Sequence, residues 1–293
     1  MTADLYNEHF GFRERPFSLS PDPDFLFWSQ GHTRAIAVLE YGIMTRAPLT
    51  IVSGEVGTGK TTLIQELLRK LQDDVTVGLI SNARGDRGDL LRWVLGAFGL
   101  ELPADADYVE LFQRFEAFVL AEYAAARHVV LIVDEAQNLG ADILEELRLL
   151  TNINSGKDEL LQIIIVGQPE LRDIVARPEL RQFAQRVSAT YHLGPMELQT
   201  TVAYMTHRLK HAGGSGEEFS MEAIHYIHDE AAGIPRMVNK ICDLGLVYAF
   251  VAGEKRVSIS TIKELIRDGL ILKPARLVLL PSNRIDDPGR AAE

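Results

Sequence analysis

Cysteine is almost absent from this sequence, since Cys242 is the one cysteine among 293 residues. A single thiol cannot form a disulfide within the chain, so a disulfide-stapled fold is excluded and a cytoplasmic location is expected. Cys242 follows Ile241 and precedes Leu244 in an apolar helical pattern. A free cysteine in such surroundings packs as a small hydrophobic side chain, so we expect Cys242 to be buried rather than reactive.

Long apolar runs and runs of basic residues are also missing. The longest apolar stretches, near 129–133 and 244–253, are too short to span a bilayer. The first nine residues contain Asp4 and Glu8, whereas a signal peptide begins with a basic and then an apolar region. With 30 Lys and Arg against 41 Asp and Glu, the net charge of −11 repels nucleic acids and anionic membranes on average. We therefore expect no membrane span, inner-membrane contact only through partner proteins, and nucleic acid as a disfavoured partner.

Short branched apolar runs alternate with helical patterns over the first two thirds of the chain. Such runs, typical of strands buried on both faces, occupy residues 49–53, 75–81, 129–133, 161–166 and 189–193. The segments between them place apolar residues three and four positions apart, which indicates helices. Strands that alternate with helices predict an α/β fold in which a parallel sheet lies between helical layers.

The composition and the apolar pattern of the sequence change towards both ends. Residues 1–35 are rich in aromatic residues and proline, which predicts an extended segment anchored on a neighbouring surface. After Gly194 and Pro195 the patterns become mainly helical up to about residue 270. We predict a first domain over 1–195 that includes the aromatic segment, a small all-helical domain over 196–270, and a flexible tail over 271–293.

A glycine-rich motif lies between the first strand and the following helix. Residues 54–61 match the pattern G-x-x-x-x-G-K-[ST] at every fixed position. The glycines allow backbone N–H groups to turn towards phosphate oxygens, Lys60 adds a positive charge at the β and γ phosphates, and Thr61 offers a hydroxyl to Mg²⁺. The flanking strand and helix favour this P-loop over a chance glycine-rich turn, and predict binding of ATP with Mg²⁺. The expected nucleotide contacts are Gly54, Glu55, Val56, Gly57, Thr58, Gly59, Lys60, Thr61 and Thr62.

Two carboxylates follow the buried run 129–133. Asp134 and Glu135 stand at the carboxyl end of this strand, where ligands bind in open α/β sheets. We expect Asp134 to hold Mg²⁺ and Glu135 to orient and deprotonate the attacking water. The alternative is a solvated Asp-Glu turn, which the upstream P-loop disfavours.

Further polar residues are candidates for contact with the γ-phosphate. The run 161–166 is expected to lie between the P-loop strand and the acidic strand, so Gln168 at its tip would reach the phosphate or the water. Arg181 and Arg186 precede the last strand, and either is a candidate for a catalytic arginine supplied to a neighbouring chain. We favour Arg186 over Arg181. Arg236, at the start of a helix in the second domain, is placed to reach the nucleotide across the cleft.

The combined motifs resemble the AAA+ ATPases and, within them, the general secretion pathway protein A-like (ExeA-like) group. The resemblance covers about residues 6–270, and its P-loop is generic whereas the combination is specific. The stretches that carry it are 10–12, 16–18, 21–23, 54–61, 134–139, 166–171 and 233–236.

This resemblance implies a P-loop αβα sandwich followed by a helical lid, with ATP-driven assembly into a homo-oligomer. It implies that Arg186 acts as the arginine finger and Arg236 as the lid sensor. Members of the group work with secretion, type IV pilus or exopolysaccharide machinery. Some longer relatives add a membrane helix and a peptidoglycan-binding domain. This sequence shows neither, so it looks more like the short cytoplasmic members.

Two other functions stay open at the level of sequence. Transposition ATPase subunits are close cousins of this group, so an ATP-dependent DNA-binding regulator is the alternative to an envelope-assembly motor or switch. The net charge of −11 counts against DNA binding. A scaffold that binds nucleotide without hydrolysis is the third reading, and the Asp134–Glu135 pair argues against it.

Overall fold

The computed structural model describes residues 5–19, 25, 27–71, 74–81, 89–103, 105–155 and 158–271. The Pro21–Pro23 stretch and the tail beyond residue 271, both of which entered the sequence predictions, lie outside the described residues.

A parallel sheet of five strands forms the centre of the larger domain. The strands are β1 Leu49–Gly54, β2 Val75–Ile80, β3 His128–Val133, β4 Asn154–Ser155, β5 Asp158–Glu159, β6 Leu161–Gly167 and β7 Val187–Leu193. The sheet has the order β2-β3-β6-β1-β7, with parallel pairs throughout, and β4 and β5 form a separate antiparallel pair. The prediction that β6 lies between the P-loop strand and the acidic strand is therefore confirmed.

Helices cover both faces of this sheet. They are α2 Gln30–Met44, α3 Lys60–Lys70, α4 Leu90–Ala97, α5 Tyr108–Ala124, α6 Ala141–Leu150, α7 Glu170–Val175 and α8 Arg181–Arg186. The first helix of the chain, α1 Asn7–Phe10, packs instead on the helical domain described below. Successive strand residues point to opposite faces, so Ile163 and Ile165 pack with α4, α5 and α6, whereas Ile164 and Val166 pack with α2 and α3. Burial on both faces explains the continuous apolar runs of the sequence, and the predicted αβα sandwich is confirmed.

A second, all-helical domain follows the sheet. Its helices are α9 Leu198–His211, α10 Met221–Ala231, α11 Pro235–Val251 and α12 Ile259–Arg267. Cys242 is fully buried in the core between them, and burial raises the pKa of its thiol. This confirms its packing role. None of the described helices combines the length and apolar character that a membrane span requires.

The aromatic N-terminal strap, residues 5–19, packs on the helical domain. Tyr6 and Phe17 are almost fully buried in the helical core, and the ring of Phe17 meets that of Phe219 edge-on at 5.9 Å. The Tyr6 hydroxyl and the Arg15 guanidinium both donate to the carboxylate of Asp243 on α11. The sequence prediction grouped this segment with the first domain, whereas these contacts join it to the second.

Candidate active site

The P-loop connects the end of β1 to the start of α3. Gly57 and Gly59 have φ angles of +85° and +102°, which L side chains rarely adopt. A Cβ atom at Gly57 would lie 2.7 Å from the Cβ of Arg236, and one at Gly59 would lie 2.6 Å from Nε2 of His32. The glycines are therefore required by backbone conformation and by the close approach of two side chains.

Lys60, the first residue of α3, is buried behind this loop. Its Nζ donates to the carbonyl oxygens of Gly54 at 2.7 Å and Glu55 at 3.0 Å. Burial lowers the pKa of Lys60, and the negative charges of Glu135 and Asp134 oppose that effect. The lysine is thus held at the loop, beside both carboxylates at the end of β3.

Asp134 and Thr61 bring a carboxylate and a hydroxyl together at the carboxyl end of β3. Asp134 is buried, and its Oδ1 accepts a hydrogen bond from the backbone N–H of Glu135 at 2.8 Å. Burial raises the pKa of Asp134, whereas a hydrogen bond from Thr61 acts in the opposite direction. A carboxylate beside a hydroxyl is the hard-oxygen donor set that suits Mg²⁺, so the residues present fit the predicted metal.

Glu135 is held by two side-chain amides. Nε2 of Gln137 donates to its Oε2 at 2.6 Å, and Nε2 of Gln168 donates to the same oxygen at 3.1 Å. Burial raises the pKa of Glu135, but these two hydrogen bonds and the charge of Lys60 outweigh it and lower the pKa below the ordinary glutamate value. The structure therefore places Gln168 next to Glu135. Sequence reasoning gave Gln137 no role, although it lies inside the 134–139 stretch that carried the resemblance.

The helical domain closes the opposite side of the site at Arg236. Pro235 begins α11, and the backbone N–H of Arg236 donates to the carbonyl of Gly57 at 3.3 Å. Gly233 supports this contact, because it has a φ of +69° and a Cβ there would lie 2.2 Å from the carbonyl oxygen of Met196. Arg236 thus touches the P-loop across the cleft, and its contact with the nucleotide stays a prediction.

A cavity of about 390 Å³ lies between these groups. At one end it is lined by P-loop residues, among them Val56, Thr61 and Thr62, together with Glu135 and Arg236. Glu55 contributes its carbonyl oxygen to Lys60 rather than its side chain to this cavity. The lining also includes residues to which the sequence analysis gave no role at the site, namely Phe25 and Phe27 before α2 and, among the helical-domain residues, Met196, Tyr204, Arg208 and Asn239.

His32 joins α2 to the P-loop, and the sequence analysis did not identify this contact either. Its Nε2 lies 3.0 Å from the carbonyl oxygen of Thr58, and its Nδ1 lies 2.7 Å from Oγ of Ser29. Burial lowers the pKa of His32, which favours the neutral ring that donates to Thr58 and accepts from Ser29. A single histidine at the start of a helix carries no sequence signal for such a contact.

Arg186 lies away from the cavity of its own chain. It ends α8 just before β7, and β7 starts beside Leu49, whereas the P-loop follows the other end of β1. Its guanidinium donates to the carbonyl oxygen of Thr151 at 3.1 Å and to Glu159 at 3.2 Å. Arg181 is exposed on the same helix. Neither arginine reaches the P-loop in cis, so a finger role for either requires a second chain.

Comparison with known proteins gives matches along most of the chain. A family model described as an AAA domain matches residues 43–175. General secretion pathway protein A of Aeromonas hydrophila is 40% identical over 253 residues, which are 86% of this chain and 46% of that protein. The chain thus spans about half the length of this curated relative. A putative ORC1-type DNA replication protein 1 of Thermoplasma acidophilum is 32% identical over 89 residues, which are 30% of this chain and 25% of that protein.

Solved structures share the fold at low sequence identity. The ORC2 protein of Aeropyrum pernix in ADPNP–ADP complexes is 17% identical with a TM-score of 0.62, over 88% of this chain and 72% of that one. Cdc6p from Pyrobaculum aerophilum is 17% identical with a TM-score of 0.64, over the same shares of the two chains. Because the Aeromonas hydrophila protein is 40% identical over 86% of this chain and an AAA domain model matches residues 43–175, the chain belongs to the AAA+ ATPase family and, within it, to the general secretion pathway protein A-like group.

Proposed function

We propose that this protein binds Mg²⁺-ATP in the cavity between its two domains and hydrolyses the γ-phosphate. The observation that carries the proposal is the meeting of Lys60, Glu135 and Arg236, from three separate elements, around one cavity of about 390 Å³. That volume suits a small-molecule ligand. A lysine, a carboxylate and a lid arginine around one space are the groups that phosphoryl transfer to water uses.

Each group has a distinct role in this proposal. The P-loop amides and the N-terminus of α3 hold the phosphate oxygens, and Lys60 neutralises the β and γ phosphates. Thr61 and Asp134 would hold Mg²⁺, which supplies positive charge to the phosphates when bound. Glu135 accepts a proton from the attacking water. Arg236 binds the phosphates from the lid and couples lid position to nucleotide.

The substitution Glu135→Gln tests the reaction. It removes the proton acceptor but keeps the shape of the side chain, so phosphate release should fall by about 10²-fold or more while Mg²⁺-ATP still binds. Glu179→Gln, at an exposed carboxylate outside the cavity, is the matched control and should leave the rate unchanged. Equal rates for the wild-type chain and Glu135→Gln would contradict the proposed base.

We further propose that the chain works as a homo-oligomer, in which Arg186 of one subunit completes the site of the next. The position of Arg186 supports this, because it precedes β7 at the end of the sheet opposite to the P-loop and so lies away from the P-loop of the same chain. The 40% identity to general secretion pathway protein A supports a role as a motor or switch for secretion, pilus or exopolysaccharide machinery on the cytoplasmic side of the inner membrane.

A DNA-binding regulator is the second candidate. The 32% identity to a putative ORC1-type DNA replication protein over 89 residues favours it, and the net charge of −11 opposes it. DNA binding that requires ATP and weakens steeply with salt would select this candidate, because contacts with phosphates release counterions. If no DNA binding is measured at low salt with ATP present, the result would exclude this candidate and favour the envelope-assembly role.

A further inference from the structure

The two side-chain hydrogen bonds to the carboxylate of Glu135 reach the same oxygen atom. Both amide donors, from Gln137 and Gln168, converge on Oε2, at 2.6 Å and 3.1 Å. Within the described ranges, no side chain or backbone group donates a hydrogen bond to Oε1. Among the described residues, the side-chain donors thus hold this carboxylate by Oε2 alone.

The orientation of the Gln137 amide is fixed from its other end. Its Oε1 accepts the backbone N–H of Gln168 at 2.9 Å, so its Nε2 must face Glu135. Gly167 makes room for this side chain, because a Cβ atom there would lie 3.0 Å from Oε1 of Gln137. Gln137 thus spans the carboxyl ends of β3 and β6 and cannot flip its amide without losing both bonds.

The backbone conformation of Glu135 is also unusual. It has a φ of +56° and a ψ of 35°, in the left-handed region, where residues other than glycine are uncommon. The short 3₁₀ turn Ala136–Asn138 follows at once and brings Gln137 back onto the carboxylate. Held in this way, Glu135 still lines the cavity that Lys60 and Arg236 share.

We infer that Gln137 is a positioning residue: with Gln168 it fixes Oε2 of Glu135, so that Oε1 is presented to the attacking water. The inference rests on the proposed hydrolysis and adds to it a residue that touches neither phosphate nor metal. If the two amides held Glu135 away from the cavity, they would inhibit hydrolysis. Glu135 instead lines the cavity while both amides hold it.

The substitution Gln137→Met tests the inference, since methionine has similar length but donates no hydrogen bond. Without one amide donor, Glu135 is less well aimed at the water, whereas Lys60 and Arg236 still line the same cavity. We expect kcat to fall about tenfold with KM for ATP unchanged, because the positioning of Glu135 is lost while the groups that bind the nucleotide stay in place. Gln168→Met, which keeps the backbone donor to Gln137, should lower kcat in the same way but by less.

Asn138→Ala is the matched control, because Asn138 is exposed on the same turn. It should leave kcat and KM unchanged. A Gln137→Met variant with wild-type kcat, with a lower kcat and a KM for ATP raised to the same degree, or with a higher kcat would overturn the inference. Failure of the proposed function looks different, because the wild-type chain itself would then release no phosphate.

Discussion

At the scale of single residues, the site depends on backbone conformations that few side chains tolerate. Gly57 and Glu135 both have positive φ angles, of +85° and +56°. The motif pattern predicted the first, because glycine spacing in a P-loop is a local signal. It could not predict the second, nor the grip of Gln137 on Glu135, because the amide is oriented by Gln168, 31 positions further along the chain.

The substitution Gly57→Ala tests whether the P-loop backbone requires glycine at this position. Alanine at φ +85° costs about 1–2 kcal/mol, and its Cβ would lie 2.7 Å from the Cβ of Arg236. We expect a lower free energy of unfolding and weaker ATP binding, measured by chemical denaturation and by titration. Gly140→Ala is the control, because that glycine has a negative φ and no atom within 4 Å of an added Cβ. Equal effects of the two substitutions would contradict this account of Gly57.

At the scale of elements, the sequence predicted the strands and helices that have a repeating apolar pattern and missed the shortest elements. The apolar runs of β3 and β6 were recognisable because both faces of these strands are buried. The β4–β5 pair has two residues in each strand, too few for a period to show. The prediction of an extended N-terminal segment likewise missed the four-residue helix α1.

The strap offers a test at this scale. Phe17 is fully buried against the helical domain, so Phe17→Ala should lower the free energy of unfolding by about 3–5 kcal/mol through the cavity it leaves. Leu5→Ala is the control on the same segment, because Leu5 is 60% exposed, and it should change stability little. Thermal or chemical unfolding of both variants measures the difference. A Phe17→Ala chain as stable as Leu5→Ala would show that the strap is not part of the lid core.

At the scale of the whole molecule, the strap and the lid form one body beside the P-loop domain. Asp243 accepts hydrogen bonds from Tyr6, 237 positions away, and from Arg15. Contacts at such separations leave no local pattern, so the sequence could predict the sheet and the helical C-terminal part but not which surface the strap packs on. His32 in α2 contacts the carbonyl oxygen of Thr58 in the P-loop. The lid makes its own contact with the P-loop through the backbone N–H of Arg236 and the carbonyl of Gly57.

A mixing experiment tests the proposed assembly. Arg186→Ala removes the finger and Lys60→Ala removes nucleotide binding, so each variant alone should be nearly inactive. Mixed, they should regain phosphate release, because an intact P-loop can then meet an intact Arg186 from the other chain. Arg172→Ala, at an exposed arginine on α7, should be active alone. A mixture that stays inactive at every ratio and protein concentration would contradict a finger supplied by a neighbouring subunit.

The most direct test of the whole account is a calorimetric titration of the chain with Mg²⁺-ATP. The wild-type chain should give saturable heat, and Lys60→Ala should lose it, because Lys60 is the buried cation at the phosphate loop. Lys70→Ala, at an exposed lysine on the same helix that pairs with Glu40, should bind as the wild type does. Absence of heat with the wild-type chain, or identical titrations for wild type and Lys60→Ala, would contradict the nucleotide site.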